Sequence, residues 1–202
     1  MMTHAGELRD RVAVLRYERS GEGDWSWWPE RAVWAKAEPD AKPSLFSSVG
    51  VGARGLTLTV REARWLSPAL AFRYRGVLAF ITSILPDATH PGYLSVRCAL
   101  CDTRILTAKP QNRTGRDQLN RPVAVPQPEF EFEGILTERY YRNSADEISR
   151  ALTLERVLVT PKGFTLRVGD IVADGERRYT VRQVLDLDAY KNEYILEAQE
   201  DA

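Results

Sequence analysis

The feature that most constrains the fold of this chain is the alternation of apolar and polar residues with a period of two. Residues 56–61 (LTLTVR) alternate strictly, and Val12 and Val14 face away from Arg11 and Ala13 in the segment RVAVLRYE. Successive side chains of a β-strand point to opposite faces, so this pattern predicts strands with one buried face. We therefore expect an all-β protein of two small barrel or sandwich domains joined by an extended linker.

Residues 1–102 are predicted to form the first β-domain. Strand-like segments over residues 8–101 are separated by turn residues such as Gly76 and Pro91-Gly92, at the spacing of a small barrel. A tryptophan-rich strand is expected to end at Pro39, because proline lacks the N–H that a central strand needs. Residues 40–55 hold Gly, Ser and Pro and predict a long loop.

The segment 103–128 differs in composition from the rest of the chain. It carries four prolines, five basic residues and one acidic residue, for a net charge of +4. We interpret it as a Pro-rich basic linker, either a solvated tether or an arm that packs on a neighbouring subunit. The candidate contact residues of this arm are Arg104, Lys109, Arg113, Arg116 and Arg121.

Residues 129–202 are predicted to form a second β-barrel domain. They carry 10 basic and 16 acidic residues, for a net charge of −6, while the whole chain is formally neutral. The neutral overall charge argues against a generic polyanion binder, and the asymmetry between segments is typical of distinct contact surfaces.

Few residues suit catalysis or metal binding. Only His4 and His90 could act as histidine bases, and Cys98 and Cys101 fall on opposite faces of one strand. A structural zinc needs four ligands, and two cysteines cannot build a disulfide framework. The N-terminus lacks an apolar signal core, and no stretch approaches the ~18 apolar residues of a membrane span. We expect no enzyme activity, no metal, no cofactor and no membrane association.

An internal repeat is suggested when the chain is slid by 100 positions against itself. Ile81, Ile84 and Leu85 then fall on Val181, Val184 and Leu185, and Leu94 and Val96 fall on Tyr194 and Leu196. The shared unit is a strand, a seven-residue turn and a strand. Chance similarity of two hairpins and tandem duplication of one small β-fold both account for it.

An ordered series of short motifs spans residues 8–101. It comprises LRxRVxV at residues 8–14, a Trp-containing strand ending in Glu38-Pro39, a strand ending in Arg61, and a last strand with Val96-Arg97-Cys98. In this order, the segments resemble the phage head–tail joining proteins, also called head-closure or stopper proteins. A typical member ends near residue 102, whereas this chain continues for another hundred residues.

The resemblance implies a structural virion protein of the phage neck, assembled in the host cytoplasm. The protomers would form a ring, a hexamer or dodecamer, beneath the portal or its adaptor. This ring would retain the packaged double-stranded DNA and present a surface to tail terminator or tail tube proteins. The resemblance also implies that the long loop contacts the ring above or narrows the channel, through Asp40, Lys42, Phe46, Val49, Val51 and Arg54.

Three tryptophans, Trp25, Trp27 and Trp28, are candidate interface anchors, since exposed aromatic residues are typical of such contacts. They are equally compatible with the core of the domain. Two other functions remain open. One is a tail terminator or another tail-side structural protein; the other is an OB-like nucleic-acid-binding module that stacks bases on Tyr140 and Tyr141 beside Arg139 and Arg142.

Overall fold

A computed structural model describes residues 5–43, 54–142, 152–186 and 191–199. The chain divides into two compact units, each built largely of β-strands. The first unit holds Met1–Glu18, Trp27–Thr103 and Thr137–Arg139, and the second holds Arg19–Ser26, Arg104–Leu136 and Tyr140–Ala202. Across the described ranges, no helix is long and apolar enough to cross a membrane. The all-β prediction is confirmed.

The first unit is a closed β-barrel of six strands. Its strands are β1 (Asp10–Arg19), β2 (Trp25–Pro43), β3 (Arg54–Arg61), β4 (Leu70–Tyr74), β5 (Val77–Pro86) and β6 (Tyr93–Cys101). They pair in the order β1-β4-β5-β6-β3-β2, and β2 pairs with β1 to close the barrel. Closure leaves no free sheet edge.

The second unit is also a closed barrel of six strands, with a hairpin added. The barrel strands are β7 (Arg104–Lys109), β10 (Phe130–Arg142), β11 (Leu152–Pro161), β12 (Ile171–Asp174), β13 (Arg177–Leu185) and β14 (Lys191–Ala198). They pair in the order β7-β12-β13-β14-β11-β10, and β10 closes on β7. Between β7 and β10, strands β8 (Arg113–Arg116) and β9 (Pro122–Val125) form a separate two-stranded sheet.

The two barrels have the same topology, strand for strand. In each, the first strand pairs with the fourth, the fourth with the fifth, the fifth with the sixth, the sixth with the third, and the third with the second. The fifth strands even share a register shift at equivalent places, between Ile81 and Ser83 and between Val181 and Gln183. Because bulges are retained features rather than defects, this agreement favours tandem duplication over chance.

The alignment of the two last strands differs from the one predicted. Ile81 pairs with Cys98 and Val181 pairs with Leu196, so Cys98 and Leu196 are equivalent positions. The offset is 100 residues in the fifth strands and 98 in the sixth. A shift of two residues leaves every side chain on its original face, so apolar patterning alone does not reveal it.

The two barrels bury an aromatic residue and an aliphatic residue at the same paired positions, but with the aromatic residue on different strands. In the first barrel Phe72 on β4 lies opposite Ala79 on β5, and both are fully buried. In the second, Val172 on β12 lies opposite Tyr179 on β13, again buried. The aromatic residue has changed strand, while each pair keeps one aromatic and one aliphatic member.

Two sequence predictions are corrected by the strands. The segment 103–128 is not an extended linker over its first part, because Leu106 and Ala108 of β7 are buried in the second barrel. The second unit therefore begins at Arg104 rather than at residue 129, and it also takes in Arg19–Ser26. Strand β2 runs past Pro39 to Pro43, with an irregular register against β3 after Pro39 that accommodates the proline.

Candidate interaction surfaces

The three candidate tryptophans lie in different environments. Trp27 is buried, with its ring centroid 5.0 Å from that of Tyr17 and 6.3 Å from that of Phe80. Trp25, which belongs to the second unit, is half-buried, and its ring centroid lies 5.8 Å from that of Phe164 in the same unit. Trp28 is 50% exposed. Trp27 is thus a core residue, and among these three Trp28 has the ring available for a partner.

A pocket in the first unit contains two tryptophans that were not predicted as contacts. Its volume is about 480 Å³, and it lies beside Trp34 on β2 and Trp65 in the connection between β3 and β4. Trp34 is 57% exposed, and the Arg31 guanidinium carbon lies 4.5 Å from the centroid of the Trp65 ring. The other lining residues are Leu8, Val33, Val60, Arg61, Glu62, Ala63 and Phe72.

The chemistry of this pocket suits a protein partner. Buried apolar side chains such as Val60 and Phe72 line it, together with Arg61 and Glu62, which carry charges of both signs. Large aromatic residues next to an apolar depression are typical anchors of protein interfaces. Trp34 shares its strand face with Lys36 and Glu38, so strict alternation already places it outside the barrel.

The predicted loop contacts fall partly outside the described residues. Phe46, Val49 and Val51 lie outside them, and of Lys42 only the backbone at the end of β2 is described. Asp40 and Arg54 are exposed. The carboxylate of the exposed Asp40 lies over Gly55, so a side chain at position 55 would require Asp40 to change rotamer.

The five basic residues predicted as arm contacts divide into two groups. Arg104 donates to the Asp174 carboxylate at 2.6 Å, and Lys109 lies 3.0 Å from Glu129, so both pair with carboxylates on the second barrel. Arg113, Arg116 and Arg121 belong to the β8–β9 hairpin. We name this hairpin, residues 113–125, the arm.

The tip of the arm is a rigid turn organised by Asp117. The N–H groups of Leu119 and Arg121 donate to Asp117 Oδ1 at 2.8 and 2.9 Å, and Arg121 Nε donates to Asp117 Oδ2 at 3.1 Å. Arg116 donates to Asn120 Oδ1 at 2.7 Å, and Asn120 has a positive φ of 61°. Asparagine tolerates this conformation better than most residues. Leu119 lies in this turn and is 69% exposed.

The two cysteines and His90 have structural roles. Burial raises the pKa of both thiols, that of Cys101 to about 12, and so favours their unreactive protonated form. The backbone N–H groups of Thr89 and, to a smaller extent, His90 donate to Asp87 Oδ1 in the turn between β5 and β6, which lowers the pKa of that carboxyl. Among described residues, no cluster of three or more His, Cys, Asp or Glu side chains is placed to hold a metal.

The buried thiols lead to a labelling prediction. We expect neither Cys98 nor Cys101 to react rapidly with a thiol reagent at pH 8 in the native protein, because reaction requires the thiolate and access. After unfolding in guanidinium chloride, both should react. Colorimetric thiol titration measures this, and a fast-reacting thiol in the folded protein would contradict the burial.

Comparisons with known proteins do not place the chain in a family. No family model matches it, and no curated protein matches it. Among solved structures, it is similar to the solution structure of protein SF1141 from Shigella flexneri 2a. That match has 19% sequence identity and a TM-score of 0.35, and it covers 48% of this chain and 96% of the other.

Proposed function

We propose that this chain is a structural protein of the phage neck, a head-closure component that assembles as a ring between the portal or its adaptor and the tail. In this role it retains packaged DNA and offers an attachment surface to tail proteins. The observation that carries the proposal is the ordered motif series of residues 8–101, whose strand segments coincide with β1, β2, β3 and β6 of one closed barrel.

The described side chains support a binding role over a catalytic one. The two cysteines are buried in the first barrel, and His90 contributes to a turn rather than facing a nucleophile. In contrast, several large apolar residues lie at the surface: Trp28, Trp34, Ile105, Leu119, Val123 and Val125 are each at least 40% exposed. Exposed apolar groups of this kind mark interaction surfaces when they cluster.

Native mass spectrometry and negative-stain microscopy of the purified chain test the proposal. We expect a closed oligomer of one stoichiometry, six or twelve copies, formed alone or on an added portal complex. A protein that stays monomeric in both conditions would contradict it. A gel shift with single-stranded DNA that weakens steeply with salt would instead favour the nucleic-acid-binding alternative.

Within this proposal, the pocket next to Trp34 is a candidate contact between ring subunits or with the adaptor. Trp34→Ala should change the free energy of unfolding by less than about 1 kcal/mol, because the ring is mostly exposed. It should nevertheless weaken assembly, measured as the ring fraction in native mass spectra. The matched control is Trp27→Ala, which should cost about 3–5 kcal/mol of stability because it empties a buried site. If Trp34→Ala assembled as completely as the unmodified chain, the pocket would not be part of the interface.

A further inference from the structure

The arm is a hairpin that lacks a partner surface within the described structure. Most of its side chains are exposed, including Leu119 at 69%, Val123 at 40% and Val125 at 41%. A lone two-stranded hairpin is marginally stable in water, and it usually needs a third strand or a packed face. We therefore expect the arm to be stabilised when a protein surface covers its apolar side chains.

The arm has a defined apolar face and a basic charge. Its register places Arg113 opposite Val125 and Gly115 opposite Val123, so these four residues share one face. Val125 lies across Gly115, where any side chain would collide with it, which keeps this face flat. Arg113, Arg116 and Arg121 outnumber the single acidic residue, Asp117, and give the arm a net charge of +2.

The arm is fixed at its base as well as at its tip. Gln111 donates its backbone N–H to Asp170 Oδ1 at 2.9 Å and its side-chain amide to the carbonyl of Gly169, also at 2.9 Å. Both acceptors belong to the second barrel. With its base anchored and its tip closed by Asp117, the arm is preorganised, which reduces the entropy lost on binding.

A complementary surface lies on the outer side of β7 and β10. Ile105 on β7 is 72% exposed and lies directly opposite Glu133 on β10, and Thr107 lies opposite the exposed Glu131. The Glu131 N–H donates to the Asp24 carboxylate at 2.8 Å, which brings a third acidic group to this place. We name Ile105, Thr107, Glu131 and Glu133 the β7–β10 face.

We propose that the arm of one copy of this chain docks on the β7–β10 face of a second copy. Leu119, Val123 and Val125 would cover Ile105, and Arg113, which shares the face of the two valines, would meet Glu131 and Asp24. The charges are of opposite sign and the apolar groups are central, as in protein interfaces generally. Because arm and face are different surfaces, the contact is heterologous and propagates from copy to copy, so it closes a ring or extends a filament. The inference rests on the proposed function in so far as a ring component must bind its own copies.

Disulfide trapping between separate chains tests the docking. One chain carries Leu119→Cys, and a second, mass-tagged chain carries Ile105→Cys; the native cysteines are buried and do not compete. The control partner is Leu85→Cys, whose site is 53% exposed on the first barrel. After mild oxidation, we expect the Leu119–Ile105 heterodimer to exceed the Leu119–Leu85 product by on the order of fivefold. Equal yields would overturn the proposal.

A charge exchange tests the electrostatic part of the contact. Arg113→Glu should lower the trapped yield by on the order of fivefold, and the companion change Glu131→Arg in the other chain should restore it. Failure of this rescue would overturn the assigned register of arm and face. The outcomes also separate the two proposals. Rings without the arm-to-face cross-link would refute the docking alone, whereas the cross-link in a chain that never forms rings would refute the proposed function alone.

Discussion

Replacing Tyr179 by alanine should destabilise the protein by about 3–5 kcal/mol, because it empties a buried site in the second barrel. Val172→Phe alone should cost about 1–3 kcal/mol through overpacking. Combined, the two changes recreate the Phe72–Ala79 pair of the first barrel at equivalent positions. We therefore expect the double variant to be more stable than the sum of the single effects by about 1–2 kcal/mol, since contacting residues couple.

The measurement is a double-mutant cycle by guanidinium denaturation. Its control combines Val172→Phe with Ile81→Ala, a buried change in the first barrel, and should be additive within about 0.5 kcal/mol. If the effects of Val172→Phe and Tyr179→Ala were additive, residues 172 and 179 would not pack against each other as Phe72 and Ala79 do.

Phe132→Ala should lower the free energy of unfolding by about 3–5 kcal/mol. Phe132 is 1% exposed, and its ring centroid lies 5.0 Å from that of Phe164, which also contacts Phe130 and Trp25. Removal of the ring leaves a cavity at the centre of this aromatic cluster. Tryptophan fluorescence during urea denaturation reports the loss, since Trp25 belongs to the same cluster.

The matched control for this prediction is Ile105→Ala, on the strand paired with β10. Ile105 is 72% exposed, so its truncation should change stability by less than about 0.5 kcal/mol. Equal losses for the two variants would show that β10 does not bury Phe132 as described.

The strands of both barrels were largely predictable from alternation, but their closure was not. Patterning shows which face of a strand is buried, and it does not show which strands pair. The β7 strand illustrates the difficulty. Leu106 and Ala108 are buried and alternate with Ile105 and Thr107. The alternation is obscured because Ile105, on the solvent face, is also apolar, and because Pro110 comes directly after the strand. Composition suggested a linker where packing forms a barrel strand.

The surfaces were predictable only in part, again for physical reasons. Residue parity on β2 separates Trp27 and Ala35, which are buried, from Trp28 and Trp34, which are exposed. That signal was present in the sequence, and it would have selected Trp34 as a contact in place of Trp27. The pocket beside Trp65 depends on the connection between β3 and β4, whose path no local pattern specifies.

The similarity of the two halves is faint in the sequence. Between residues 54–86 and 154–186 only three aligned positions are identical, the leucines Leu58, Leu66 and Leu85 with their counterparts Leu158, Leu166 and Leu185. Exchanges such as Phe72–Ala79 for Val172–Tyr179 keep one buried aromatic residue in the pair while erasing sequence identity. Topology and the shared bulge retain the relationship that the residues have lost.

Whether this chain is a ring component of the phage neck is tested most directly by a single-particle reconstruction of virions produced in cells that express it. We expect six or twelve copies of a pair of six-stranded barrels between the portal or adaptor and the tail, around the DNA channel. Density for the chain on the tail side alone would favour a tail terminator instead. Its absence from the particle would contradict the account.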